Sequence, residues 1–320
     1  MDFYNSDEMV RLREDQKAGN MSTLVKETCY ACIHDEKVTG RSRRTQMLEE
    51  NPDLTQIDNI KLKHIGNLCN LKCLMCFPEV SSLYAMEAQI LDDYDGDIVI
   101  SHKPTETYLE GLKEVLPKVK AIKFVGGEPI INPETWNFLK WLKLNQFFHL
   151  EIEFTTNGTR HFTDAEELLL MWFKSVNIIV SIDAVGEKND YIRFPSKFAN
   201  LYKNYKRFKE FANHVNLHTT VTMLNIGDVD KVLDYFSETD VSVGQAISKP
   251  DFLSPENLPY SIKENYCSEI PHIQKILETK PNYQKFMEGM IYLKKRDVHR
   301  KTNLLNLWPE FESYYPIGTT

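Results

Sequence analysis

Three cysteines stand at positions 69, 73 and 76, separated by three residues and then two. Thiolates at that spacing can reach three irons of a [4Fe–4S] cube and leave the fourth iron without a protein ligand. An iron with open positions can bind and activate a small molecule, whereas a fully ligated cube stores or passes electrons. The competing assignments are chance and zinc, although structural zinc takes four ligands, usually supplied as CxxC pairs. Cys29 and Cys32 form one such pair, so five of the six cysteines fall within residues 29–76. Clustering of this kind favours metal chemistry over scattered core thiols. Cys267 stands alone, and a lone cysteine is by default a small buried hydrophobe.

The elements around these thiols follow a strand–helix alternation. Residues 60–65 alternate apolar with polar and read as a strand feeding the cysteine loop. Helical stretches follow at 81–91 and 105–116, then a strand at 121–125. Asn132 and Pro133 read as the cap and first turn of a helix over 133–144. The pattern continues with a strand at 150–156, a helix at 163–173 and a nearly all-apolar strand at 176–182, the mark of a strand covered on both faces. A helix over 197–212 carries Tyr202, Tyr205, Phe208 and Phe211 on one stripe, which packing explains. A strand at 217–223, a helix at 228–237 and a strand at 241–246 complete the series. Six β/α alternations imply an open, partial (β/α)6 parallel barrel with right-handed crossovers and its chemistry at the C-terminal strand ends. Helices are also expected at 7–18 and 43–50. The division predicted is a cysteine-bearing segment at 1–56, the barrel at 57–250 and a helical, charged extension at 251–320. The aromatic residues Trp308, Phe311, Tyr314 and Tyr315 of that extension are expected to pack, closing the barrel's open side or covering its bottom.

Each strand end carries a further segment. Gly126-Gly127-Glu128-Pro129 follows the second strand, where residues without side chains let a ligand touch the backbone. Thr155-Thr156-Asn157-Gly158 ends the third, Ser181-Ile182-Asp183-Ala184 the fourth, and Thr222-Met223-Leu224-Asn225 the fifth. Taken singly each is a strand running into a turn. Taken in order after CxxxCxxC, they resemble the motifs of radical S-adenosylmethionine (SAM) enzymes, over residues 57–250. In that superfamily the open iron chelates the amino and carboxylate groups of SAM, and an electron from the cluster releases a 5′-deoxyadenosyl radical.

The resemblance implies a SAM-binding set. The GGEP segment meets the amino group of SAM, with Glu128 assigned to binding and Pro129 closing the turn. Thr156 and Asn157 belong to the family's TTNG. Ser181 and Asp183 face the ribose and methionine in its S-[IL]-D-G, although Ala184 stands where glycine is usual. Arg193, ten residues past Asp183, falls where relatives carry an arginine for the SAM carboxylate, a task suited to a planar, permanently charged fork; a surface salt bridge is the competing reading. Met223 lies where backbone groups pass along the adenine. Met75, at an often aromatic position, is placed to pack on the adenine through its polarizable sulfur, and Phe77 joins it in the cofactor-binding set.

Cys29 and Cys32, followed by Asp35-Glu36 and by Gly40-Arg41-Ser42-Arg43, resemble the upstream segment of twitch and SPASM-type radical SAM proteins. That segment helps hold an auxiliary iron–sulfur cluster. Relatives carry further cysteines before it, which this chain begins too late to contain. A second cluster, zinc and a vestigial pair therefore stay open, with Cys267 as an outside candidate ligand and His34 a poorer one.

Composition narrows the partners. The chain has 320 residues, 42% of them hydrophobic, and a formal charge of −8, which advertises neither a nucleic-acid nor an anionic-membrane partner. The basic stretches at 41–44 and 203–209 interleave with polar or aromatic residues and read as solvated faces. The acidic N-terminus lacks the order of a secretory signal, and no apolar run is long enough to span a bilayer. Cysteines without a signal peptide point to the reducing cytoplasm.

The reaction implied is reductive SAM cleavage followed by hydrogen abstraction, the electron coming from a donor such as a flavodoxin or ferredoxin. Twitch and SPASM relatives often modify peptides or proteins, so a peptide or protein substrate is expected, although no leader-peptide-binding winged helix is evident. A sugar or other small metabolite is the alternative substrate. A non-catalytic iron–sulfur electron carrier or regulator is the alternative class, and it would leave the strand-end segments idle.

Overall fold

A computed structural model of the chain describes residues 58–62, 66–98 and 103–316, together with 7, 10, 11, 14, 15, 33, 36, 40, 42, 45 and 49. The chain divides into two compact units, Met1–Asp58 with Thr105–Val119, and Asn59–Pro104 with Lys120–Thr320. In the larger unit β1 (Asn59–Leu62) leads through the cysteine loop to α1 (Ser82–Ile90). Helix α2 (Glu106–Val115), capped by Thr105, belongs to the smaller unit. The larger unit resumes with β2 (Ala121–Phe124), α3 (Pro133–Leu144), β3 (Glu151–Thr156), α4 (Asp164–Leu170), β4 (Ser175–Ser181), α5 (Glu187–Ile192) and α6 (Phe198–Phe211). It continues through β5 (His214–Val221), α7 (Val229–Tyr235), β6 (Val241–Ala246), α8 (Tyr260–Lys263), α9 (Pro271–Glu278) and α10 (Tyr283–Arg300).

The six strands are parallel and lie in the order β1-β2-β3-β4-β5-β6, forming a curled half-barrel. Sequential neighbours pair, as parallel strands joined by crossover connections do. That face is apolar. Phe124 and Phe154 stack at 5.3 Å, Trp136 of α3 lies 6.0 Å from Phe154, and Phe162 meets Phe208 of α6 at 5.4 Å. Tyr205 and Phe208 are buried, as the predicted stripe on α6 requires. Asn132 caps α3 by accepting the Glu134 N–H, with Pro133 in the first turn.

The inner face differs. Lys123, Glu153, Asn177, Ser181 and His218 sit on it half-buried, and Lys123 Nζ lies 3.3 Å from Glu153 Oε2. The apolar run in β4 predicts cover on both faces; instead its residues alternate buried with half-buried, because a half-barrel leaves its inner face less enclosed than a closed one.

The segment after β6 shares the core of the barrel's upper rim. Phe286, Met290, Leu293, Trp308 and Phe311 pack with Leu74 of the cysteine loop and with Ala184, Val221, Met223 and Leu224 from the ends of β4 and β5. Burial of this order, at about 25 cal/mol per Å² of apolar surface, is what fixes the segment there. Cys267, expected as a buried hydrophobe, is exposed.

In the smaller unit the described residues of the predicted helices 7–18 and 43–50 are helical. Ser42 is buried and its hydroxyl donates to Glu36 Oε1 at 2.5 Å. Cys29, Cys32 and His34 lie outside the described residues. Among the described residues no helix is long and apolar enough to cross a membrane.

Candidate active site at the strand ends

The cysteine loop leaves β1 and winds back around the start of α1. Ser81 caps α1 by accepting the Tyr84 N–H and donates its hydroxyl proton to the Leu71 carbonyl at 2.7 Å, and Cys69 N–H donates to Ser82 Oγ at 3.1 Å. Cys73 is buried; Cys69 and Cys76 are half-buried. The Cys76 thiol bonds Cys73 and holds it below the ordinary thiol range, with the Arg193 and Arg300 guanidinium groups adding to that effect. The same contact pushes Cys76 well up. Burial, and next the Cys73 charge, push Cys69 up to about 12.

The end of β2 is sewn onto this loop. Gly127 N–H donates to the Val80 carbonyl at 3.0 Å, and Glu128 N–H to the Leu68 carbonyl at 2.7 Å. Gly126 and Gly127 have φ of +88° and +54°, and a Cβ on Gly127 would stand 2.4 Å from the Leu68 oxygen. The space the missing side chain leaves is therefore filled by the loop backbone. Gly127→Ala combines a left-handed backbone with a clash against main chain, and we expect it to cost at least about 1–3 kcal/mol. An unchanged urea midpoint would contradict this account.

Glu128 is fully buried, and its carboxylate accepts from Ile130 N–H at 3.1 Å, Thr156 Oγ1 at 2.8 Å and Asn157 N–H at 2.6 Å. Burial pushes its pKa up to about 7 against those three donors. The side chain thus braces the end of β2 to the end of β3. Asn157 extends the chain of contacts to the cysteines, with Nδ2 2.9 Å from Asn70 Oδ1 and 3.9 Å from Cys69 Sγ.

At the end of β4, Asp183 and Arg193 form a buried ion pair, Oδ2 to Nε 2.7 Å, with the two residues 0% and 7% exposed. Burial disfavours the Arg193 charge, but Asp183 and the Cys73 thiol outweigh it and raise its pKa. Thr220 N–H donates to Asp183 Oδ1 at 3.0 Å, Asp183 N–H to Asn189 Oδ1 at 3.1 Å, and Asn225 Nδ2 to the Asp183 carbonyl at 3.0 Å. Arg193 is therefore not the surface salt bridge considered from sequence. Ser181 is half-buried on the inner face, Met75 packs partly against the upper core and Phe77 is exposed beside the loop.

Met223 is 0% exposed, its N–H donates to the Leu253 carbonyl at 2.9 Å, and its thioether abuts the position of Gly289 in α10. Its side chain belongs to the core, because α10 covers the end of β5. Sequence reasoning missed Asn189 and Asn225, which brace Asp183, and Tyr292 and Arg300 of α10, which reach the cysteine loop. Asn225 falls within the quoted strand-end segment; nothing local marks the other three.

The chain is similar to 7,8-dihydro-6-hydroxymethylpterin dimethyltransferase of Methanocaldococcus jannaschii, 23% identical over 130 residues that make up 41% of this chain and 21% of that protein. Among solved structures it is similar to native anSMEcpe with bound AdoMet, at 19% identity and a TM-score of 0.46, covering 77% of this chain and 63% of that one. It is also similar to Streptococcus suis SuiB bound to precursor peptide SuiA, at 16% identity and a TM-score of 0.44, covering 83% and 54%. The chain thus spans about a fifth of the curated relative and less than two thirds of these structures. The family model of the radical SAM superfamily matches residues 64–236, more than half of the chain and all of the strand ends just described. With that match lying over a six-stranded parallel half-barrel, the chain belongs to the radical SAM superfamily and is an enzyme of that class.

Proposed function

We propose that Cys69, Cys73 and Cys76 hold a [4Fe–4S] cluster, and that the cluster with SAM, both implied by the superfamily, supplies reductive cleavage to a 5′-deoxyadenosyl radical that takes a hydrogen from a peptide or protein substrate. The observation that carries this reading is the convergence on one cysteine loop of the GGEP turn, the Asn157 amide and the Asp183–Arg193 pair.

The donor set fits such a group. Burial and then the Cys73 charge raise Cys69, and the hydrogen bond to Cys73, burial and that charge raise Cys76, so three thiolates at this loop call for a cationic centre to hold them together.

The residues of the rim would then divide the work. Gly126 to Pro129 offer backbone to the amino end of SAM, with Glu128 holding the turn in shape rather than reaching outward. Thr156, Asn157 and Ser181 supply polar groups along the rim, and Met75 and Phe77 supply apolar surface at the loop's edge. Arg193, kept charged by Asp183, faces the SAM carboxylate. The likeness of the Cys29 and Cys32 segment to twitch and SPASM-type proteins supports a peptide or protein substrate, the reductive reaction calls for an electron donor such as a flavodoxin or ferredoxin, and the cysteine usage suits a cytoplasmic setting.

The test is the spectrum of anaerobically reconstituted, reduced protein. Its cluster signal should shift when SAM is added, and 5′-deoxyadenosine should accumulate. A signal indifferent to SAM would return the protein to the electron-carrier class. Iron content addresses the upstream pair. About four irons per chain, unchanged in Cys29→Ala/Cys32→Ala, are expected if that pair holds zinc or nothing, whereas about eight falling to four would establish a second cluster.

A further inference from the structure

The two residues flanking Cys73 have every backbone polar group engaged. Lys72 N–H donates to the Phe194 carbonyl at 2.8 Å and Leu74 N–H to the Ile192 carbonyl at 2.9 Å. Their own carbonyls are taken by two side chains of α10. Arg300 Nη2 donates to Lys72 O at 2.7 Å, and Tyr292 OH donates to Leu74 O at 2.7 Å. Cys73 is thus held between the Ile192 and Phe194 carbonyls on one side and a distant helix on the other. That helix lies outside residues 64–236, the part matched to the superfamily.

Both side chains are themselves held. Arg300 Nε donates to Glu87 Oε1 of α1 at 2.9 Å, its Nη2 also meets Glu87 Oε2, and Lys72 Nζ lies 2.8 Å from Glu87 Oε1. The Glu87 and Arg300 side chains are 1% and 2% exposed. The Tyr292 hydroxyl also lies 3.1 Å from Tyr84 OH, and the Arg296 guanidinium stacks 3.5 Å from the centre of the Tyr292 ring. Buried ion pairs of this kind contribute little net stability beside apolar packing, whereas a bidentate fork fixes direction. Here both fixed groups end on the carbonyls either side of one cysteine.

We propose that α10 is the clamp of the cysteine loop. Tyr292 and Arg300 act as positioning residues that hold Cys73 in cluster-binding geometry, and the Arg300 guanidinium, with Lys72, offsets the buried Glu87 carboxylate beside the cluster. This rests on the assignment of Cys73 as a cluster ligand. Loss of the Arg300 charge has a stated sign of effect: reduction adds an electron to the cluster, so a less compensated carboxylate nearby disfavours the reduced form, net charge and outer contacts setting the potential in iron–sulfur proteins generally.

The experiment begins with the cluster-free chain, comparing amide hydrogen exchange in wild type, Tyr292→Phe, Arg300→Lys and Arg300→Gln. Amides of residues 72–76 should exchange about tenfold faster in Tyr292→Phe and in Arg300→Gln, the equivalent of one net hydrogen bond, while β3 and β4 keep their protection. After anaerobic reconstitution, Arg300→Gln should have a cluster midpoint potential more negative than wild type. Arg300→Lys, which keeps the charge but loses the fork, should hold the potential near wild type while its loop still exchanges fast. Unchanged exchange at 72–76, or acceleration spread equally over β3 and β4, would overturn the clamp, and an unchanged potential in Arg300→Gln would overturn the electrostatic part. If Arg300→Gln fails to fold, Tyr292→Phe decides the clamp, since it removes one hydroxyl only, and Arg300→Lys decides the role of the fork. Failure of the wild type to take up iron would instead strike the cluster assignment, leaving the exchange result to judge the clamp.

Discussion

Replacing Cys69, Cys73 and Cys76 together by alanine should abolish both iron uptake at this loop and 5′-deoxyadenosine formation, while the half-barrel stays folded. The loss is expected to be complete because these are three of the four described cysteines, and the fourth, Cys267, is exposed in the segment after β6. The fold should survive because the loop is anchored by groups other than its thiols: Ser81, the Gly127 and Glu128 amides, and the carbonyls of Ile192 and Phe194. Iron and sulfide assay, far-UV circular dichroism and product analysis decide it. Full iron in the triple variant would refute the assignment once Cys29 and Cys32 had also been replaced.

The second large effect is expected at the pair Asp183 and Arg193. Removing one partner of a buried ion pair leaves the other charge uncompensated, and Asp183→Asn or Arg193→Ala should each cost about 3–5 kcal/mol in urea unfolding. The double variant Asp183→Asn/Arg193→Met should recover much of that loss, since a neutral pair of similar size needs no counter-charge. SAM binding should behave differently and remain weakened by roughly ten- to a hundredfold in the double variant, the worth of one charge-assisted hydrogen bond to a carboxylate. Recovery of stability together with wild-type SAM affinity would confine Arg193 to a structural role. Additive losses in the double variant would mean that the two residues do not act as a pair.

Much of this site is legible along the chain because its parts are local. The spacing of Cys69, Cys73 and Cys76 is a property of eight consecutive residues, and the turn after β2 is signalled by two adjacent glycines with left-handed backbones. The strand–helix alternation reads equally well, since apolar periodicity reports the geometry of a few neighbouring residues. Hence the six-stranded parallel order follows from the sequence pattern with little ambiguity.

What the tertiary structure alone decided is which of these groups are engaged by others. Glu128 reads as a ligand-facing carboxylate until its oxygens are seen to accept from Thr156 and Asn157, 28 and 29 residues away. Met223 ends a strand in sequence, yet in space it lies under α10, and Arg193 meets Asp183 inside the protein. Tyr292 and Arg300 reach the cysteine loop across 218 and 228 residues. No local pattern encodes such a contact, because it depends on how whole elements pack. Spacing in the sequence therefore pointed to the kind of chemistry proposed for the cysteine loop, and packing from the far end of the chain decided how that loop is held.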